Sequence, residues 1–323
     1  MTLEITPIKK EHLEDAARLV SARYQKLLDQ VASLPRRYTD VNILIPLLNN
    51  LVEAGTGVVA LEKGELKGYL AAWLLPSFRR KRSVYSPEWA NAVVQSNGRR
   101  VYETMYTHLA ALWGADGYLT HLVGLLANDQ DGLECWRWLG FGMLAADAVR
   151  DLQFEPDCTG EVDIRLARMQ DIDAVIALAD ALRRHHADSP TFLINDRIRE
   201  RADYEAWIKN PDNAVWLACQ GTRAVAFARI GPANEDACTI INDEKTASIT
   251  AAFTEEEARG EGIATSLLKR SLEWARAQGY ARCAVDFEPM NHWARRFWLR
   301  YFQPVCYTLI RQIDERIVGS QRT

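Results

Sequence analysis

Residues 247–302 read ASITAAFTEEEARGEGIATSLLKRSLEWARAQGYARCAVDFEPMNHWARRFWLRYF. An apolar run, 249–253, has the length of a strand. A turn follows, carrying Arg259-Gly260-Glu261-Gly262-Ile263-Ala264. The spacing then predicts a helix over 265–278 that stops at Gly279, since glycine tolerates the left-handed conformation that ends helices. A second strand, 281–287, leads into Glu288-Pro289-Met290-Asn291. Strand, glycine-rich turn and helix, in that order, make an anion site. Two glycines let the backbone curl closely. The first helical turn presents N–H groups without intrahelical partners, at the positive end of the helix dipole. Ile263, Ala264, Leu267, Leu268, Ser271, Leu272 and Ala275 fall at three-and-four spacing, so the turn is expected to be pinned to a sheet.

The glycines alone do not name the anion. A P-loop needs Gly-Lys-Ser/Thr, which Gly262-Ile263-Ala264 does not supply. A dinucleotide fingerprint wants three glycines, and Gly260, Gly262 and Thr265 give two, too late in the chain for a doubly wound fold. The stretch resembles the GNAT family of acetyl-CoA-dependent N-acetyltransferases. That family's loop is Gln/Arg-x-x-Gly-x-Gly/Ala, matched by Arg259, Gly262 and Ala264. Its closing motif, Asn-x-x-Ala-x-x-Phe-aromatic and then Phe, is matched by Asn291, Ala294, Phe297, Trp298 and Phe302.

With 323 residues the chain is long enough for two domains. Its composition, 48% apolar and 25% charged, is that of a folded protein. A formal net charge of −4 argues against nucleic acid as a partner. No apolar run is long enough for a membrane span, and the mixed-charge N-terminus is not a signal peptide. The six cysteines, Cys135, Cys158, Cys219, Cys238, Cys283 and Cys306, form no CxxC pair. They read as reduced thiols of a cytoplasmic protein with no metal site.

The chain also repeats itself. Residues 3–8 and the helix through Leu13, Ala16 and Leu19 align without gaps on 162–167 and the helix through Ile172, Val175 and Leu178. Each half then shows a strand, a turn at Gly64 or Gly221, and a second strand, as in a hairpin. Asn128 with Trp138-Leu139-Gly140-Phe141 echoes Asn291 with Phe302. This is duplication at domain scale. The resemblance implies an α/β (α+β) chain of two tandem GNAT-like domains, each a mixed, mostly antiparallel central sheet flanked by helices. The expected boundaries are 1–154, a linker at 155–161 containing Pro156, Asp157 and Gly160, and 162–323. In the first half, 84–91 stands where the glycine-rich loop is expected, without its pattern. Gly98-Arg99-Arg100 is the nearest substitute and lacks the spacing. The first domain is therefore expected to be degenerate, with acetyl-CoA bound by the second.

Acetyl transfer from a thioester requires the thioester to be held, its carbonyl polarised and the amine neutral. An alkyl amine of pKa ~10.4 is only ~0.1% neutral at pH 7, so a base is needed. The resemblance implies backbone donors at Ala252, Phe253 and Thr254 for the pantetheine and thioester. It implies a phosphate cradle of Arg259, Gly260, Glu261, Gly262, Ile263, Ala264 and Thr265. Asn291 is expected to bond the cofactor or the local backbone, and Trp298 to lie against the cofactor. Candidate bases are Glu255, Glu256, Glu257, Asp286 and Glu288, with Glu288 favoured at its strand end. The family usually carries Tyr where Trp298 stands, to protonate the leaving thiolate. An indole N–H is no such acid, so Tyr301, Tyr307 or water would substitute. His185, His186, Asp188 and Phe192 fall where the family lines its acceptor pocket. His185 and His186 are adjacent on a helix and point apart, which disfavours a shared metal. The basic run 79–82 reads as solvated surface.

The expected activity is an acyltransferase of class EC 2.3.1.-, acting on a small-molecule or peptide amine, as a monomer or homodimer. The competing expectations are a non-catalytic acyl-CoA-binding or regulatory module and, on the partial glycine fingerprint alone, a nucleotide-binding oxidoreductase.

Overall fold

The repeat seen in the sequence returns in the opening elements of each half. The computed structural model describes residues 3–54, 56–95, 97–153, 162–194, 199–233 and 238–317. The expected linker, 155–161, and Cys158 lie outside the described residues.

The first half runs β1 (Glu4–Pro7), α1 (Leu13–Gln30), α2 (Val41–Glu53), β2 (Gly57–Glu62), β3 (Glu65–Ala71), β4 (Trp73–Phe78), β5 (Lys81–Ser86), β6 (Asn91–Val93), α3 (Gly98–Ala115), β7 (Thr120–Leu126), α4 (Gln130–Trp138) and β8 (Gly142–Asp151). The second runs β9 (Asp163–Leu166), α5 (Ile172–Ala187), α6 (Arg201–Lys209), β10 (Ala214–Gln220), β11 (Arg223–Pro232), β12 (Thr246–Thr254), α7 (Ile263–Ala277), β13 (Arg282–Phe287), α8 (His292–Tyr301) and β14 (Gln303–Gln312). Both expected hairpins form, β2–β3 and β10–β11, each closed by a two-residue turn. Antiparallel pairing dominates, with parallel pairs at β5–β7 and β12–β13.

The chain divides into two compact units. One holds 1–146 together with Cys238–Ile240 and the segment from Pro304 onward; the other holds Asp147–Ala237 and Ile241–Gln303. The expected domains assigned all of 162–323 to one body. The compact units differ because β14 pairs antiparallel with β7 in the first unit, from Cys306 opposite Leu126 to Gln312 opposite Thr120. Leu309 of β14 joins that unit's buried core with Val123, Leu125, Tyr106 and Trp136. Cys238–Ile240 is tied in by polar bonds. Tyr38 Oη donates to the Thr239 carbonyl at 2.6 Å, Trp89 Nε1 to Thr239 Oγ1 at 3.1 Å, and the Ile240 N–H to Glu88 Oε1 at 3.0 Å.

In the first unit the strand equivalent to β12 is broken. β5 pairs with β7 and β6 with β3, and between them the Ala90 N–H closes a turn on the Pro87 carbonyl at 2.8 Å. Residues 84–91 are therefore strand and turn, not the counterpart of the glycine-rich loop. That counterpart is the turn before Gly98, where Asn97 takes φ +59° and opens α3. In the second unit β12 stays whole, and α7 lies across β10 and β11 on Ile263 and Leu267, packed with Ala218, Val225, Ala226, Ala228 and Ala258. No helix among the described residues is long and apolar enough to cross a membrane.

Candidate active site

The site of the second unit begins with a sheet that comes apart. β12 runs parallel to β13 from Thr246 opposite Arg282 to Ile249 opposite Val285. β12 then continues to Thr254 and β13 to Phe287 without further pairing to each other. A bulge against β11, where Arg229 faces Ala251 but Ile230 faces Ile249, bends β12 at Thr250. The Glu255 N–H donates to the Val225 carbonyl of β11 at 2.9 Å. Strand alternation then turns the backbone of Phe253 toward β11 and that of Ala252 and Thr254 toward the open edge. Of the three expected backbone donors, two face the opening. Phe253 is a correction, its N–H being committed to the sheet.

The turn beyond β12 is a short 3₁₀ segment, Glu256–Ala258, followed by Gly260 at φ +87° and Gly262 at φ +80°. A Cβ on Gly260 would meet nothing within 4 Å, so its left-handed backbone, rather than space, calls for glycine. Gly262 caps α7 with no side-chain hydrogen bond, and the first helical bond runs from the Ser266 N–H to the Gly262 carbonyl at 3.0 Å. The N–H groups of Ile263, Ala264 and Thr265 are left without intrahelical acceptors. Ala258 and Ile263, both buried, pin the two ends of the turn in the core under α7. Gln220 Nε2 donates to Glu261 Oε2 at 2.8 Å and tethers the crest of the turn to the end of β10. This cradle suits a pyrophosphate.

Arg259 does not extend toward the cradle. Its Nε donates to the Thr254 carbonyl at 3.1 Å, and its guanidinium carbon lies 5.9 Å from the Phe253 ring centre and 5.8 Å from that of Trp293. His185, in the last turn of α5, shares these two rings at 6.1 and 5.8 Å. Burial, reinforced by the charges of Arg259 and His186, pulls its pKa below the ordinary histidine value. The imidazole is therefore neutral at pH 7. Trp293, exposed on the first turn of α8, went unnoticed in the sequence. Its place two residues after the helix-capping Asn291 was the available signal.

The expected site residues separate as follows. Asn291 is buried; its Oδ1 accepts from the Ala294 N–H at 3.2 Å and caps α8, and its Nδ2 lies 3.4 Å from His185 Nε2. Its bond is to the local backbone. Trp298 is a correction: it is buried among Phe297 and Phe302, at 4.9 and 5.5 Å between ring centres, and is a core residue. Glu288 is half-buried at the end of β13, and no hydrogen bond or ion pair among the described residues engages its carboxylate. Glu255 is ion-paired with Arg223. Glu256, Glu257 and Asp286 are exposed. Tyr301 Oη lies 3.2 Å from Thr265 Oγ1, on the first turn of α7. Tyr307 belongs to the first unit, on β14 opposite Leu125 and against that unit's core, where burial raises its pKa.

The first unit has its own cleft of about 380 Å³, between the end of β6, the start of α3 and the start of α4, lined among others by Lys26, Gln95, Asn97, Arg99 and Asp129. Asn97 stands where the second unit has Gly262, and Arg99 is paired with Glu103. The five described cysteines are buried, and none is in a disulfide.

Residues 179–302 match the family model described as acetyltransferase (GNAT) family. No curated protein matches the chain. Among solved structures, a GCN5-related N-acetyltransferase from Sphaerobacter thermophilus is similar in fold over 96% of this chain and 95% of that one, with a TM-score of 0.57 at 13% identity. The glucosamine N-acetyltransferase region of a fungal multi-domain GH3 β-N-acetylglucosaminidase is similar over 96% of this chain and 38% of that longer one, with a TM-score of 0.52 at 14% identity. Split sheet, glycine turn and uncapped helix are thus found where the family match falls, and the second half of this chain carries a domain of the GNAT acetyltransferase family.

Proposed function

We propose that the second unit moves an acetyl group from acetyl-CoA to a primary amine, of a small molecule or a peptide, by direct attack in a ternary complex. The observation that carries this reading is the parted end of β12 beside the uncapped N-terminus of α7. Free backbone donors and a helix dipole meet there without any side chain to satisfy them. The N–H groups of Ile263, Ala264 and Thr265 hold the pyrophosphate, and those of Ala252 and Thr254 hold the pantetheine arm and thioester oxygen. Bound acetyl-CoA supplies the activated acyl group. Glu288, unpaired at the mouth of the split, takes the amine proton directly or through water. Tyr301, joined to Thr265, is the remaining tyrosine in this unit's site that can donate a proton to the departing sulfur. A thiol of pKa ~8.5 also leaves tolerably without one. The acceptor is bound from the α5 side, with no metal in the reaction. The protein works in the cytoplasm, as a monomer or homodimer, and without nucleic acid.

A second reading, a non-catalytic acyl-CoA-binding module, draws on Trp298 being core and Tyr301 being tied to the cradle. Titration calorimetry with acetyl-CoA on the wild type and on Gly262→Glu separates the outcomes. That substitution puts bulk and negative charge at a left-handed position of the cradle. We expect one site per chain, lost in the variant. Two sites, one surviving the substitution, would assign a ligand to the first unit. No binding by the wild type would defeat the acetyltransferase reading. Binding without turnover across a broad amine panel would establish the second reading.

A further inference from the structure

This inference rests on the acetyltransferase reading and concerns the acceptor side of the same site. Asn291 accepts the Ala294 N–H on Oδ1 at 3.2 Å. That cap fixes the amide: its oxygen looks into α8, so its NH₂ is the end that lies 3.4 Å from His185 Nε2. An amide NH₂ can only donate. The ring nitrogen facing it must carry the lone pair, so the proton of the neutral imidazole sits on Nδ1. Protonating Nε2 would set two donors against each other. The groups around the ring agree with a neutral state. Burial acts most against a positive charge, followed by Arg259 from the turn after β12 and His186 from α5, while the bond to Asn291 and then Asp188 pull the other way less strongly. The ring is held between Phe253 and Trp293, and among the described residues Nδ1 has no bonding partner. Held in one tautomer beside the reaction site, this half-buried N–H is positioned to donate to a ligand that displaces solvent.

We propose that His185 is a specificity-determining residue whose Nδ1–H, oriented by Asn291, accepts as its partner an oxygen carried by the acceptor close to the amine. The substrate class is then an amine with a neighbouring hydroxyl or carbonyl oxygen rather than a plain alkylamine. The same bond makes His185 unsuited to act as a base, because its lone pair is already committed.

Asparagine places its amide nitrogen where histidine has Nδ1, and glutamine places it where histidine has Nε2. His185→Asn and His185→Gln therefore separate the two ring nitrogens. The acceptor probes are ethanolamine and propylamine, which match in length and differ by the oxygen. We expect both variants to bind acetyl-CoA as the wild type does. We expect kcat/KM to favour ethanolamine by about tenfold or more in the wild type, to keep most of that preference in His185→Asn, and to lose it in His185→Gln. Nitrogen-15 spectra of labelled histidine should show the Nδ1-protonated tautomer at pH 7, and lose it in Asn291→Ala. An Nε2-protonated ring or an imidazolium at pH 7 would overturn the proposal. So would equal rates on the two amines, a preference that survives in His185→Gln, or no ethanolamine turnover by a protein that binds acetyl-CoA. Loss of acetyl-CoA binding by the wild type would instead count against the acetyltransferase reading, leaving the tautomer measurable.

Discussion

His121 shows how tightly single residues are specified in the first unit. Its Nε2 donates to the Tyr118 carbonyl at 3.0 Å, so Nδ1 accepts from Tyr106 Oη at 2.8 Å, and that hydroxyl in turn accepts from Arg311 Nη1 at 3.3 Å. Burial, against a smaller opposing pull from the Tyr118 carbonyl and with help from Arg311, drives its pKa down to about 4. A histidine with a depressed folded pKa leaves the unfolded chain to take up the proton first. Its neutral fold is fully favoured above the unfolded pKa near 6.5, and stability is lost as pH falls from there toward 4. Between pH 7 and pH 5 the loss should be roughly 2 kcal/mol. Urea midpoints across that range should show it, and His121→Gln, which cannot titrate, should flatten the slope. An unchanged slope in the variant would mean that His121 is not the proton acceptor. Gly262 and Asn97 make the complementary point about backbone. Both open a helix at positive φ, and only the first is a residue for which that conformation is free of strain.

At the scale of elements, β12 is the device on which the site depends. A continuous strand would bond β13 along its whole length and leave no donors for a ligand. The bulge at Thr250 ends the parallel ladder early and turns the next alternate residues outward. Ala252→Pro tests this directly, because it removes an N–H aimed at the opening and none aimed at β11. Acetyl-CoA affinity should fall about tenfold, or ~1.4 kcal/mol, with a small change in Tm. A large fall in Tm would place the Ala252 N–H in the ladder instead. Much of this element was legible in the sequence: the strand, the two glycines, the apolar face of α7 and its stop at Gly279 all follow from period and turn chemistry. The bulge was not, because Ala251, Ala252 and Phe253 look alike as apolar strand residues. The end of the motif misled for a related reason. Trp298 matches a pattern by identity, and for Asn291 the sequence left open cofactor or local backbone, because whether a side chain faces a ligand, a helix end or the core depends on packing beyond the motif. In the first half, 84–91 was placed as a failed loop because the register of a broken strand cannot be counted from sequence.

The whole molecule is less modular than its repeat. β14 completes the sheet of the first unit along β7, and a three-residue piece, Cys238–Ile240, also lies with that unit. A chain ending at Gln303 should therefore lose the first unit while keeping the second. In hydrogen-exchange measurements, amides of β7 and α3 should exchange freely in the shortened chain and those of β10, β11 and α7 should stay protected. A protected β7 would show that the first unit stands without its borrowed strand. This arrangement escaped the sequence reading because two aligned repeats suggest two contiguous bodies, and strand pairing at this separation leaves no local trace. Its consequence appears on the ribosome. The unit whose first strand starts at Glu4 needs a strand translated from Gln303 onward, so it must wait, sheet edge open, while everything in the second unit is synthesised. At 5–20 residues per second, roughly ten seconds or more pass between the emergence of β7 and the arrival of its partner. The half made first is the half finished last, and over that interval the nascent chain depends on whatever shields an unpaired strand in the cell.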